Sequence, residues 1–308
     1  MRILLTGCCG QLGQELRSRL MPLGQLFATD HQTPTADRQI FSLDLTDRGS
    51  MLRILDKLNP NVIVNTAAWT AVDAAEAEQQ KAHQINVIAP QRMAEWAAAN
   101  NCLLFHYSTD YVFDGNSTTP WRETDTTNPT SEYGQSKLDG ELAIINSGCR
   151  YIILRTSWVY SSHSNNFVRT MLHLAEQRSE LQVVDDQLGC PTLAANVAET
   201  TVAMLKQLRQ AEKPQFGVYH YTDNQALSWC GFAQRIFSKA VAIGLLEKSP
   251  AILPVDSSVF QSSATRPAYS VLDCSKISQD FGIDQSNLDK ALDSCLLEIL
   301  NHAEAGST

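Results

Sequence analysis

The stretch Ile3-Leu4-Leu5-Thr6-Gly7-Cys8-Cys9-Gly10-Gln11-Leu12-Gly13 decides how the rest of this chain is read. Three apolar residues run into a glycine-rich turn, and an amphipathic pattern near 12–22 follows, so strand, turn and helix succeed one another. Gly7, Gly10 and Gly13 are spaced Gly-x-x-Gly-x-x-Gly. Glycines there let the backbone turn tightly and approach a diphosphate, whose charge the helix amino terminus stabilises. Working outward, strand-like runs recur at Leu26-Phe27-Ala28-Thr29, Val62-Ile63-Val64-Asn65, Leu103-Leu104-Phe105-His106-Tyr107 and Tyr151-Ile152-Ile153-Leu154. Helical patterns lie between them near 48–58, 87–100 and 131–146. The strands are apolar without alternation, as in a parallel sheet covered on both faces. The expectation is an α/β fold, a doubly wound and mostly parallel sheet of the Rossmann type.

This dinucleotide-binding unit spans residues 1–160. Residues 161–308 are expected to form mainly a smaller carboxy-terminal substrate lobe, with segments crossing back to the first unit. Helical patterns near 165–178, 194–210 and 228–243 are separated by 183–191 and by Val218-Tyr219-His220-Tyr221. The Ser/Pro-rich region 249–270 reads as irregular, and a last helix near 286–303 runs into a polar tail. On the 131–146 helix, Leu138, Leu142 and Ile145 predict a buried stripe.

Tyr133 and Lys137 are the chemically suggestive pair on that helix. At ~1.5 Å rise per residue they share one face about 6 Å apart, where an ammonium lowers a phenol's pKa. A phenol tuned in this way can protonate an alkoxide as a hydride reaches the same carbon. Ser108-Thr109-Asp110-Tyr111 follows a strand at its carboxyl end, where doubly wound sheets build their sites. A hydroxyl there, of Ser108 or Thr109, would hold a carbonyl beside the tyrosine.

Asp30, seventeen residues after Gly13, is placed to accept hydrogen bonds from a ribose diol and to repel a 2′-phosphate, favouring NADH over NADPH. Asp44-Leu45 would flank the adenine, and Asn65-Thr66-Ala67-Ala68 supplies small residues where backbone passes a cofactor. Trp158 is either a core aromatic or the wall of a sugar pocket. Arg266 is either a surface arginine or the grip on a diphosphate.

Composition narrows the partners. The 308 residues are 44% hydrophobic and 19% charged, with a net charge of -9 and no basic cluster. That argues against nucleic acid and anionic membrane, and no segment is long and apolar enough to span a bilayer. Eight scattered cysteines show no Cys-x-x-Cys pair, so neither a zinc site nor a disulfide framework is suggested and the cytoplasm is the default. Hydrolase and zinc-enzyme motifs are lacking.

With these residues assembled, the chain resembles the extended short-chain dehydrogenase/reductases, and within them the dTDP-4-dehydrorhamnose reductase family, along nearly its whole length. The resemblance rests on Thr6-Gly7-x-x-Gly10-Gln11-Leu12-Gly13, Asn65-x-Ala67-Ala68-x-Thr70-x-Val72-Asp73 and Ser108-Thr109-Asp110-Tyr111-Val112-Phe113-Asp114-Gly115. It continues through Tyr133-Gly134-x-Ser136-Lys137-x-x-Gly140-Glu141, Arg155-Thr156-Ser157-Trp158-Val159-Tyr160 and Asp186-Gln187-x-Gly189-x-Pro191-Thr192.

It implies reduction of the 4-keto group of dTDP-4-dehydro-L-rhamnose by NADPH or NADH. Tyr133 would be the acid, Lys137 would bind the nicotinamide ribose, and Thr109 would position substrate. Gly10-Gln11-Leu12, Asp30, Asp44-Leu45, Tyr107 and Ala68-Trp69-Thr70 would contact cofactor, while Thr109, Asp110, Trp158 and Arg266 would line the dTDP-sugar site. Some family members are metal-dependent homodimers with acids at the interface. Here Glu15 is available, but 192–196 offers no second carboxylate, so magnesium is not expected.

Related readings are a nucleotide-sugar epimerase or 4,6-dehydratase, and a non-catalytic regulator resembling the regulatory subunit of methionine adenosyltransferase. Tyr111 stands where a dehydratase needs a second acid. The intact Thr109, Tyr133 and Lys137 favour an enzyme over a regulator.

Overall fold

The structure is a computed structural model that describes residues 1–31 and 40–305. Its centre is a seven-stranded sheet: β1 Arg2–Thr6, β2 Gln25–Asp30, β3 Ile40–Ser42, β4 Val62–Asn65, β5 Leu103–Thr109, β6 Arg150–Thr156 and β7 Gly217–His220. The spatial order is β7-β6-β5-β4-β1-β2-β3, and every neighbouring pair is parallel. Strand order therefore reverses between β1 and β4, which opens a crevice at their carboxyl ends. Thr6 pairs with Thr29 on one side and Asn65 on the other, and Asn65 pairs with His106. These residues form the floor of the crevice.

Successive strand residues feed opposite layers, as their period of two requires. Ile3 and Leu5 face a core shared with Leu16 and Leu20 of helix Gln11–Leu20 and with Met204 and Leu205 of helix Ala194–Gln210. Leu4 and Ile63 face the other core, with Leu55 of helix Arg48–Leu58 and Met93 of helix Ala89–Ala99. Each such fully buried aliphatic contributes about 1.5–3 kcal/mol, so both faces need their helices.

A third core joins helices Phe167–Gln177, Trp229–Ala242 and Leu288–Ala305, through Met171, Phe232, Phe237 and Leu292. Among the described residues no helix is long and apolar enough to cross a membrane.

Three local expectations change. Of the expected stripe on helix Glu132–Asn146, Leu138 is buried, but Leu142 is 46% and Ile145 37% exposed. Its inner face carries Lys137, Glu141 and Ile144 instead, because polar partners await the two charged groups there. Region 249–270 is not wholly irregular: Ala251–Val255 pairs in parallel with Glu180–Val184. Pro254 is tolerated because this strand has a partner on one side only. Finally, Gly217–His220 is an edge strand of the main sheet rather than a spacer between helices.

Candidate active site

The glycine turn is built by two different constraints. Gly7 has φ +68, and a Cβ there would lie 2.7 Å from the Ala67 nitrogen. A Cβ on Gly13 would lie 2.1 Å from the Gly7 carbonyl oxygen. Protein packing alone requires those two glycines. Gly10 is different, because its Cβ would meet only the Gly7 oxygen, at 3.4 Å. Protein packing therefore leaves the space in front of Gly10 open.

Helix Gln11–Leu20 begins there without a side-chain cap among the described residues, so its first N–H groups point at the same place. An open cradle under an uncapped helix end fits a dinucleotide diphosphate. Gln11 accepts a hydrogen bond from Ser161 Oγ at 2.9 Å, and Leu12 packs on the core.

Asp30 ends β2 beside this turn, and its Oδ2 accepts the Cys9 N–H at 2.9 Å. Asp44 accepts from Thr46 N at 2.8 Å, while Leu45 is buried. Across the crevice, Ala68, Trp69 and Thr70 follow β4. Asn86 fixes them: its Oδ1 accepts from Trp69 N at 2.8 Å, and its Nδ2 donates to Trp69 O at 3.1 Å and to Ser136 Oγ at 2.9 Å. Asn86 lies in a one-turn π-helix, Gln84–Ile88, that no periodicity reveals.

Helix Glu132–Asn146 is capped by Ser131, whose Oγ accepts from Gly134 N at 3.2 Å. Gly134 and Gly140 bring it close to the loops, since a Cβ would lie 2.3 Å from the Tyr111 oxygen and 2.1 Å from the Asn86 oxygen respectively. Tyr133 thereby comes to Thr109. Burial pushes its phenol up to about 12, a hydrogen bond with the Thr109 hydroxyl partly counters this, and the Asp110 charge adds to it. The phenol is thus protonated at neutral pH.

The expectation that Lys137 lowers the tyrosine is not met. Lys137 Nζ donates to the Tyr107 carbonyl at 2.7 Å and lies 3.4 Å from His106 Nε2. Its own pKa falls to about 8, chiefly through burial, with Glu141 opposing. Behind it a buried polar chain crosses the floor: Thr6 Oγ1 donates to Asn65 Oδ1 at 2.6 Å, and the Asn65 amide lies 3.0 Å from His106 Nδ1. Burial, then the Lys137 charge, holds His106 well below its ordinary range, so the imidazole is neutral. Glu141 is paired with Arg155 at 2.6 and 2.9 Å in the core. The Tyr107 ring turns away from the crevice and bonds Thr201 at 2.7 Å, so only its carbonyl serves the site.

At the carboxyl end of β5, Thr109 Oγ1 donates to Asp110 Oδ1 at 3.0 Å. Burial pushes Asp110 up to about 6, against the influence of the Ser270 and Thr109 hydroxyls. Although Ser270 favours the carboxylate, Asp110 Oδ2 makes no hydrogen bond of acceptable geometry, and Ser108 Oγ is likewise buried without one. Such atoms are rare in proteins.

Trp158 adopts φ +47, uncommon for a bulky residue, and stacks on Trp229 with ring centroids 3.5 Å apart. Gly189 makes room for it, as a Cβ there would lie 2.5 Å from the indole. Trp229, the first residue of helix Trp229–Ala242, carries no sequence motif that would pair it with Trp158.

Arg266 Nη2 donates to Asp73 Oδ2 at 2.6 Å, joining the 262–266 segment to helix Val72–Ala77. The guanidinium holds the Asp73 carboxyl well below the usual carboxylate range. Arg266 also faces Tyr111, whose ring meets Tyr133 edge-on at 5.7 Å.

Glu15, His163 and Glu298 offer ligand atoms within 4.8 Å of one another. Arg19 already pairs with Glu15 at 2.5 Å and Ser162 donates to Glu298 at 2.8 Å. An imidazole with two carboxylates does not match the all-oxygen shell that magnesium prefers.

A doubly wound parallel sheet with a glycine cradle, and a threonine, tyrosine and lysine at its open rim, defines an extended short-chain dehydrogenase/reductase. The family model described as RmlD substrate binding domain matches residues 1–301. The dTDP-4-dehydrorhamnose reductase of Aggregatibacter actinomycetemcomitans is 40% identical over 293 residues, 94% of this chain and 97% of that protein. This chain belongs to the dTDP-4-dehydrorhamnose reductase family.

Among solved structures, the family's ortholog from Clostridium acetobutylicum superposes with TM-score 0.87 at 33% identity, covering 98% of this chain and all of that one. The Bacillus anthracis dTDP-4-dehydrorhamnose reductase, solved in complex with NADP, gives TM-score 0.84 at 31% identity over 96% of this chain and 99% of that one.

Proposed function

We propose that this chain reduces the 4-keto group of dTDP-4-dehydro-L-rhamnose to dTDP-L-rhamnose, using NADPH or NADH. The observation that carries the reading is the approach of Tyr133 to Thr109 at the carboxyl end of β5, with Lys137 held on the Tyr107 carbonyl of the same strand, in a chain of this family. The nicotinamide, when bound, supplies the hydride. Thr109 holds the carbonyl oxygen, and Tyr133 gives its proton to that oxygen as negative charge develops there. A phenol held at about 12 keeps that proton until it is needed.

Lys137 is fixed by the Tyr107 carbonyl with Nζ held at the crevice floor, where a nicotinamide ribose would be bound. Asp110, kept partly protonated by burial, adds a polar contact for the sugar. The Trp158–Trp229 stack forms an apolar wall for the sugar ring, and Arg266 stands where the diphosphate enters. Sugar nucleotide would lie between the parallel sheet and the lobe built around Trp229–Ala242.

The test is cofactor oxidation with dTDP-4-dehydro-L-rhamnose, with dTDP-L-rhamnose identified by mass. Cofactor binding without turnover of that sugar, but with turnover of another 4-keto sugar nucleotide, would reassign the substrate. No turnover of any would remove the enzymatic reading.

A further inference from the structure

Cys8 and Cys9 occupy turn positions where backbone conformation does the work and sulfur has no evident task in cofactor binding. The fold nonetheless brings their Sγ atoms to 3.9 Å. A carboxylate oxygen of Asp30, from the neighbouring strand, joins them, and the three ligand atoms lie within 4.8 Å of one another. Tetrahedral zinc with Zn–S bonds of ~2.3 Å sets its sulfurs about 3.8 Å apart. The pair therefore already has the spacing of two thiolates on one ion, and the Cys9 N–H bond to Asp30 Oδ2 at 2.9 Å locks the third ligand beside them. Cys8 and Asp30 are buried while Cys9 is half-buried, so the cluster is entered from the Cys9 side. Adjacent cysteines escape the Cys-x-x-Cys spacing sought in sequences, and the acid is supplied only by strand pairing.

We propose that Cys8, Cys9 and Asp30 form a three-ligand site for a thiophilic divalent ion of the zinc class, and that its occupancy excludes the dinucleotide. Each coordinating thiol gives its proton to solvent as the metal–sulfur bond forms. Two sulfurs and one oxygen select zinc-like ions over magnesium. The exclusion, unlike the binding, rests on the reading of Asp30 and Gly10 as cofactor contacts. Metal on Asp30 removes the acceptor of the ribose diol and places a bound ion beside the diphosphate cradle.

Cd2+ is the probe, titrated into the full chain without cofactor and followed by thiolate-to-cadmium charge-transfer absorption. One ion per chain is expected. Cys9→Ala should weaken binding by at least about tenfold and roughly halve the band, while Asp30→Asn should weaken binding and keep the band per bound ion. Because Cys8 lies in the core, the half-buried Cys9 is the primary variant, with folding checked by circular dichroism. Unchanged affinity and band intensity in Cys9→Ala would overturn the site.

NADPH binding is then measured by fluorescence with and without Cd2+. The two ligands should weaken each other by the same factor, and a chelator should restore the cofactor. Cd2+ held by the cysteine pair with NADPH affinity unchanged would overturn the exclusion. Failure of NADPH to bind metal-free protein would instead count against the dinucleotide reading and leave the metal site standing.

Discussion

Replacing Tyr133 by Phe isolates one oxygen. The ring stays, so its edge contact with Tyr111 at 5.7 Å and the close seat of the helix against the Tyr111 carbonyl are retained. What is lost is the interaction with the Thr109 hydroxyl, and Thr109 keeps its bonds to Asp110 and to the Tyr111 N–H. The expected loss of stability is therefore about 0.5–1.5 kcal/mol, too little to unfold the chain. Activity should change far more. With the phenol at about 12, essentially every molecule carries the acid at neutral pH, so the substitution removes the whole proton-donor contribution. That contribution is roughly 10²–10⁴ in rate, or ~2.7–5.5 kcal/mol of barrier. Because the proton moves only in the transition state, kcat and kcat/KM for the sugar should fall together, with cofactor Kd unchanged. Steady-state cofactor oxidation and a fluorescence titration of NADPH measure these. A variant retaining wild-type kcat, or losing activity only through cofactor Kd, would refute the assignment.

Other expectations follow from the same geometry. Gly10→Ala should leave stability within about 1 kcal/mol yet weaken NADPH binding by more than about tenfold, whereas Gly13→Ala, meeting a backbone oxygen, should destabilise by roughly 1–3 kcal/mol in chemical denaturation. Asp110 and Asp223 have folded pKa values raised to about 6 from 3.8, so the folded state binds more protons and stability falls as pH rises between those values. Asp110→Asn should flatten that slope by up to ~1.4 kcal/mol per pH unit, as read from denaturation midpoints at several pH values. Asp30→Ala should raise the NADPH/NADH ratio of kcat/KM by about tenfold through loss of a like charge; an unchanged ratio would remove Asp30 from cofactor choice.

Much of this molecule was legible from local pattern. The glycine turn, the five apolar runs and the helices near 48–58 and 194–210 are specified by neighbours in sequence. Tyr133 and Thr109 could be paired because strand ends and a helix start converge in doubly wound sheets. What escaped depends on distant partners. Gly217–His220 is short and reads as a strand only once β6 is beside it. Asn86 matters because it touches Trp69 and Ser136, seventeen and fifty residues away. Leu142 and Ile145 misled because the true inner face holds Lys137 and Glu141, whose partners Tyr107 and Arg155 lie on strands. The final residues of the polar tail, 306–308, lie outside the described residues.

The return of β7 and of helix Ala194–Gln210 to the first core has a consequence for how such enzymes diversify. Cutting the chain after residue 160 would strip β6 of one of its two neighbours and uncover Leu16 and Leu20, so residues 1–160 are not a transplantable module. Any exchanged carboxy-terminal half must keep β7 and helix Ala194–Gln210 fitted to the first core.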